Sequence, residues 1–158
     1  MKRQKGIYTV EFAIVGVVFF LVLFGVIEIA RALFVWNTIG EVTRRGARVA
    51  AVCQEGHTAI KEIALFNGPG GGTASPVLKG LTDTNVTVEY LGDDGLTPAT
   101  GDSIRYVRVS VSGYIHQLLI PFLPASVTNL TVPPFETTLP SESLGFNPDT
   151  GATECVGI

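Results

Sequence analysis

Residues 7–27 read IYTVEFAIVGVVFFLVLFGVI, and 17 of these 21 residues are apolar. At about 1.5 Å of rise per helical residue the run is about 31 Å long, the thickness of a bilayer's hydrocarbon core. A helix that is apolar all round has no polar face to offer water, so it needs either lipid or a deep protein core. The rest of the chain is 137 residues of near-ordinary hydrophobicity, so the chain reads as one membrane-length segment carrying one modest domain. The run also accounts for the lopsided composition. Only 16% of residues are charged and mean hydropathy is +0.39, where about 25% charged is usual for a soluble domain. A net charge of −3 and a pI near 5.3 argue against a nucleic-acid footprint. Eighteen Gly and nine Pro argue against an all-helical bundle.

The flanks of the run bear on its orientation. Lys2, Arg3 and Lys5 precede it, which favours a cytoplasmic N-terminus, although Arg31, Arg44, Arg45 and Arg48 on the other side oppose that count. A cleaved secretory signal is the competing reading, because Ala30-Arg31-Ala32 matches the A-x-A pattern. The apolar run exceeds the 7–15 residues of such signals, however, and the helical pattern continues straight through the site. The cysteine pair, Cys53 and Cys155, suits one disulfide in an oxidising compartment. The other reading is two unrelated buried thiols, or a metal site lacking further ligands.

Past residue 27 a helical period persists. Ile29, Leu33, Trp36, Ile39 and Val42 recur at three- and four-residue spacing, which predicts an apolar stripe. Glu28 with Arg31, and Glu41 with Arg44 and Arg45, form charge pairs on the opposite side. The helix should run over residues 9–52, roughly 65 Å, and so protrude well beyond a membrane. Gly40, Gly46, Ala47, Ala50 and Ala51 near its end allow close packing, either of another subunit or, the plainer reading, of the protein's own sheet. Arg44, Arg45 and Arg48 read as a solvated face, with docking of a partner as the alternative.

The remaining chain predicts an α+β domain. Residues 57–66 have helical spacing with a stop at Asn67-Gly68, and residues 68–72 (GPGGG) read as a flexible linker without the Gly-Lys-Ser/Thr ending of a phosphate loop. Residues 85–90 and 106–112 alternate as strands and should pair as a long-looped hairpin. Residues 128–132 and 135–139 should complete a small antiparallel sheet, at its edges because of Pro133, Pro134 and Pro140. Residues 118–123 read as an apolar excursion that packs on the helix.

One junction carries sharper chemistry. A short basic leader ends in Gly6, and five residues later a lone carboxylate, Glu11, sits inside the apolar helix. An ionisable group within a membrane is costly, which makes it a functional hypothesis by default. A cut after Gly6 would free the α-amino group of Ile7, and Glu11 of a neighbouring subunit would neutralise it. The plainer alternative is a carboxylate that reaches the headgroup layer at the cytoplasmic end of the span.

Gly6 with Glu11 resembles the processing site of type IV pilin precursors. The continuation through Val10-Glu11-Phe12-Ala13, Phe24-Gly25-Val26-Ile27-Glu28, Arg31-Ala32-Leu33-Phe34-Val35 and Thr43-Arg44-Arg45-Gly46-Ala47-Arg48 resembles the TadE-like family of tight-adherence (Flp-type) pilus systems. The resemblance covers residues 5–52. It implies a pilin-like α+β fold: a leader over 1–6, a transmembrane and assembly helix over 7–27, and an extracytoplasmic domain over 28–158. It further implies cleavage between Gly6 and Ile7 by a prepilin peptidase, and assembly through Glu11 and Phe12 with other pilin and pseudopilin subunits. The implied place is the bacterial inner membrane, N-terminus cytoplasmic and domain periplasmic, with an extracellular pilus as a further destination. Cleavage would move the net charge from −3 to −6.

No residue pattern supports catalysis. His57 and His116 stand in no spaced ligand or nucleophile motif, and His116 reads as a rim residue at a strand end. Asp93, Asp94 and Asp102 lie among glycines, but the calcium-loop pattern is absent, so they read as a polar turn. The expectation is a structural protein, not an enzyme, without metal or cofactor. The alternative is a permanent single-pass membrane protein whose extracytoplasmic domain binds a ligand or partner.

Overall fold

The computed structural model describes residues 7–119, 128–149, 151 and 155. Gly6 and the leader therefore lie outside the described residues, as does most of the apolar stretch at 118–123. The first helix, α1, spans Ile7–Val52 without a break. It is long and apolar enough to cross a membrane. Its first 21 residues, 7–27, stand free of the rest of the chain, and burial begins at Glu28 and Val35.

Beyond that point α1 becomes the spine of the domain. A second helix, α2 (Thr58–Ala64), packs beside it, started by His57, whose Nδ1 accepts the Ala59 N–H at 3.2 Å. The strands are β1 (Val86–Leu91), β2 (Tyr106–Val111), β3 (Ile115–Gln117), β4 (Asn129–Thr131) and β5 (Phe135–Pro140). β2 is the centre of an antiparallel sheet ordered β1-β2-β5, with Val109 opposite Val88 on one side and Thr137 on the other. Alternation decides which residues face the helix: Val107, Val109 and Val111 are buried, and the residues between them are half-exposed. They meet Ile39, Val42, Ala47 and Ala50 of α1 in one core.

Gly46, Ala47 and Ala50 of α1 serve this sheet, whereas a Cβ at Gly40 would meet nothing. A Cβ at Gly46 would lie 3.0 Å from Val109 Cγ1 and 3.1 Å from the Ala64 Cβ, so glycine lets helix, sheet and α2 meet. The C-terminal carbonyls of α1 are satisfied by a returning segment: the Ala51 carbonyl accepts the Glu142 N–H at 3.0 Å. Cys53, fully buried just after α1, is disulfide-bonded to Cys155.

Several expectations need correction. The stripe Ile29-Leu33-Trp36-Ile39-Val42 is not one face of contact. Ile39 and Val42 are buried, whereas Ile29 is 63% and Trp36 47% exposed. The domain covers instead the side marked by Glu28, Val35 and Ile39, and Ile29 is turned about 100° away from Glu28 at 3.6 residues per turn. With apolar residues all round this part of α1, spacing alone does not select the face. The 128–132 run does not join the main sheet. β4 pairs with β3 in a separate two-stranded sheet, Leu130 opposite His116, and only β5 adds to β2. Helix α2 stops before Asn67-Gly68: Phe66 takes the left-handed conformation (φ 68°), and its ring lies under the Arg45 guanidinium at 4.6 Å. The Gly-rich loop is tied down. Asn67 Nδ2 donates to the Gly72 and Ala74 carbonyls, each at 2.9 Å, and the Gly70 N–H donates to Glu62 at 2.6 Å.

Candidate functional site: a buried carboxylate at the end of the span

The assembly residues inferred from sequence lie on the free part of α1. Ile7 begins the helix and, like Glu11 and Phe12, is exposed. Among the described residues Glu11 has no ion-pair partner.

The next carboxylate along the helix is treated differently. Glu28 is only 7% exposed. Arg31 Nη1 donates to both of its oxygens, at 2.8 and 3.0 Å, and the Leu119 backbone N–H donates to Oε2 at 3.1 Å. His116 Nε2, itself buried, stands 3.4 Å from Glu28 Oε1 without a hydrogen-bond partner. A buried carboxylate is tolerated where a cation and fixed N–H donors surround it. Here those donors come from one turn up the same helix and from the chain leaving β3, so the cluster pins the β3–β4 sheet to α1. The sequence paired Glu28 with Arg31 opposite the apolar stripe, and that pair is present, but it placed His116 at a rim. The burial of the pair against His116 was not visible because His116 lies 88 positions from Glu28 and no local pattern joins them. The one local clue is a carboxylate immediately after a 21-residue apolar run.

The other charged groups have local work. Arg44 pairs with Glu41 at 3.9 Å on the surface, and Arg45 caps Phe66. Asp94 Oδ1 accepts from the Leu96 and Thr97 N–H groups and the Thr97 hydroxyl, each at 2.9 Å, which holds its carboxyl below the usual range. Asp93 reaches Arg105 at 3.2 Å. Among the described residues no three His, Cys, Asp or Glu side chains are placed to hold a metal.

The segment that carries Glu11, Glu28 and the close-packing glycine is also the one with recognisable relatives. Residues 6–48 match the family model described as TadE-like protein. No curated protein and no solved structure matches the chain. The TadE-like segment is just over a quarter of the chain and ends within α1. It includes Glu28 and Arg31, but the Leu119 and His116 that complete the cluster lie outside it.

Proposed function

We propose that the chain is a minor pilin or pseudopilin of a tight-adherence pilus system, a structural subunit and not a catalyst. The observation that carries this is the TadE-like match over 6–48 on a single 46-residue helix whose first part has no protein cover. A prepilin peptidase cuts after Gly6 on the cytoplasmic face, and Ile7 becomes the new N-terminus. Glu11 then neutralises the α-amino group of a neighbouring subunit as helices pack laterally during assembly or initiation. The domain beyond residue 28 faces the periplasm and gives the subunit its specificity.

The N-terminal mass of the protein recovered from cells tests the first step. Loss of residues 1–6, abolished by Gly6→Ala or by deletion of the prepilin peptidase, is the expected result. An intact N-terminus makes the chain a permanent single-pass protein, and a start at Leu33 makes it a secreted one. For the second step, Glu11→Ala should insert normally and yet enter pili or the priming complex poorly, as read by subunit co-purification. Normal incorporation removes the charge-pairing role.

A further inference from the structure

The part of α1 just outside residues 7–27 has a surface that water does not suit. Glu28 is withdrawn under the domain, so the large side chains that α1 exposes over residues 29–36 are Ile29, Leu33, Phe34 and Trp36, with Arg31 half-exposed beside them and Asn37 following. The domain adds to the same surface. Outside α1, six large hydrophobic side chains among the described residues are exposed, and four of them, Val77, Ile115, Leu119 and Leu130, sit at this end. Val77, Ile115 and Leu119 share one groove with Phe34, and Leu130 shares a second with Trp36. Leu119 is 68% exposed although its backbone N–H is fixed to Glu28, so the side chain is held outward.

Charge points the same way. Among the described residues the Phe34 groove is lined by Lys79 and by Arg31, whose charge is paired with Glu28, and by no further charged side chain. The groove at the other end of the domain, past the end of α1, carries Glu55, Asp102 and Glu142 against one cation, Arg105. An apolar surface edged by Lys79 and continuous with a membrane helix matches an anionic phospholipid surface.

Length fits as well. From Glu11 to Trp36 the helix rises about 38 Å, close to the 40–45 Å of a bilayer with its headgroups. Both ends of that interval then bear residues suited to the headgroup layer, a carboxylate at one and a tryptophan at the other.

Resting on the membrane-spanning reading of α1, we propose that the β3–β4 end of the domain sits in the headgroup layer on the domain's side, so that the lipid boundary on α1 lies at Trp36 and not at Ile27. The buried Glu28 cluster is what permits this, since it removes the only carboxylate between Glu11 and Trp36 from contact with lipid.

Trp36 is the only tryptophan, so its fluorescence reports directly. The full chain is reconstituted into phosphatidylethanolamine–phosphatidylglycerol vesicles containing lipids brominated at defined acyl depths. Blue-shifted emission, quenched most by bromines near the headgroup, is expected. Leu119→Asp combined with Leu130→Asp, both at exposed positions, should lose most of that quenching while the protein still resists carbonate extraction. A boundary at Ile27 would leave Trp36 about 14 Å above the hydrocarbon. Unquenched, water-like emission from protein that resists extraction therefore overturns the proposal and spares the span. Release by carbonate overturns the span itself. Quenching that falls as the protein-to-lipid ratio rises assigns the surface to a second copy and also overturns it.

Discussion

Glu28 and Glu11 share a side chain and a helix, and their surroundings separate them. Glu11 projects from bare helix, whereas Glu28 has three N–H contacts supplied by Arg31 and Leu119. Glu28→Ala removes the acceptor for the Leu119 N–H and for the half-exposed Arg31 guanidinium, and a hydrogen bond to a charged group contributes about 1.5–3 kcal/mol. The expected result is a lower unfolding midpoint in detergent and faster hydrogen exchange at the Leu119 amide. Glu28→Gln keeps an acceptor and should fall between the two. Unchanged exchange at Leu119 in Glu28→Ala would show that the cluster does not hold β3 to the helix. Two buried phenols make a second prediction at this scale. Burial raises Tyr90 above the ordinary 10.0 despite the Gly56 N–H it accepts, and burial likewise raises Tyr114, whose hydroxyl donates to the Lys79 carbonyl at 3.2 Å. Folded phenols then hold their protons longer than unfolded ones, so their contribution is complete below about pH 10 and declines as pH rises further. Thermal midpoints should fall above about pH 10, and Tyr90→Phe with Tyr114→Phe should flatten that fall.

The elements were legible to the degree that their patterns are local. α1 and the β1–β2 pairing follow from hydrophobic run length and from alternation, both visible within a dozen residues. The face of α1 was not legible, since Ile29, Leu33 and Trp36 are as apolar as Val35, Ile39 and Val42. Nor was the separate β3–β4 sheet, because three-residue strands carry too little alternation to announce a partner. Two glycines six positions apart on α1 test the packing. Gly40 has open space where a Cβ would go, so Gly40→Ala should stabilise by up to about 1 kcal/mol through helix propensity. Gly46 faces Val109 and Ala64, so Gly46→Val should cost about 1–3 kcal/mol by overpacking. Denaturant midpoints decide, and equal midpoints for the two variants would mean that the helix does not press on the sheet at Gly46.

At the scale of the whole molecule, the Cys53–Cys155 bond closes a loop with a sequence separation of 102, from the end of α1 to the C-terminal segment. In the chain-entropy account a loop of that size stabilises by at most about 4.7 kcal/mol. Reduction and alkylation should lower the domain's unfolding midpoint accordingly while the protein remains carbonate-resistant, because α1 needs no disulfide to stay in lipid. Loss of membrane retention on reduction would contradict that division of labour.

The sequence by itself determined that there is one membrane-length helix, that it continues far beyond residue 27, that a small α+β domain follows, and that Gly6 precedes Glu11 by five residues, a spacing that resembles a pilin precursor. Each of these is a property of neighbouring residues. Only the tertiary structure decided which side of α1 the domain covers, that Glu28 is buried against β3, and that the exposed apolar side chains of the domain gather beside Trp36. Those depend on contacts between positions some forty to ninety residues apart, where identical local patterns permit several packings and the burial of one carboxylate separates them.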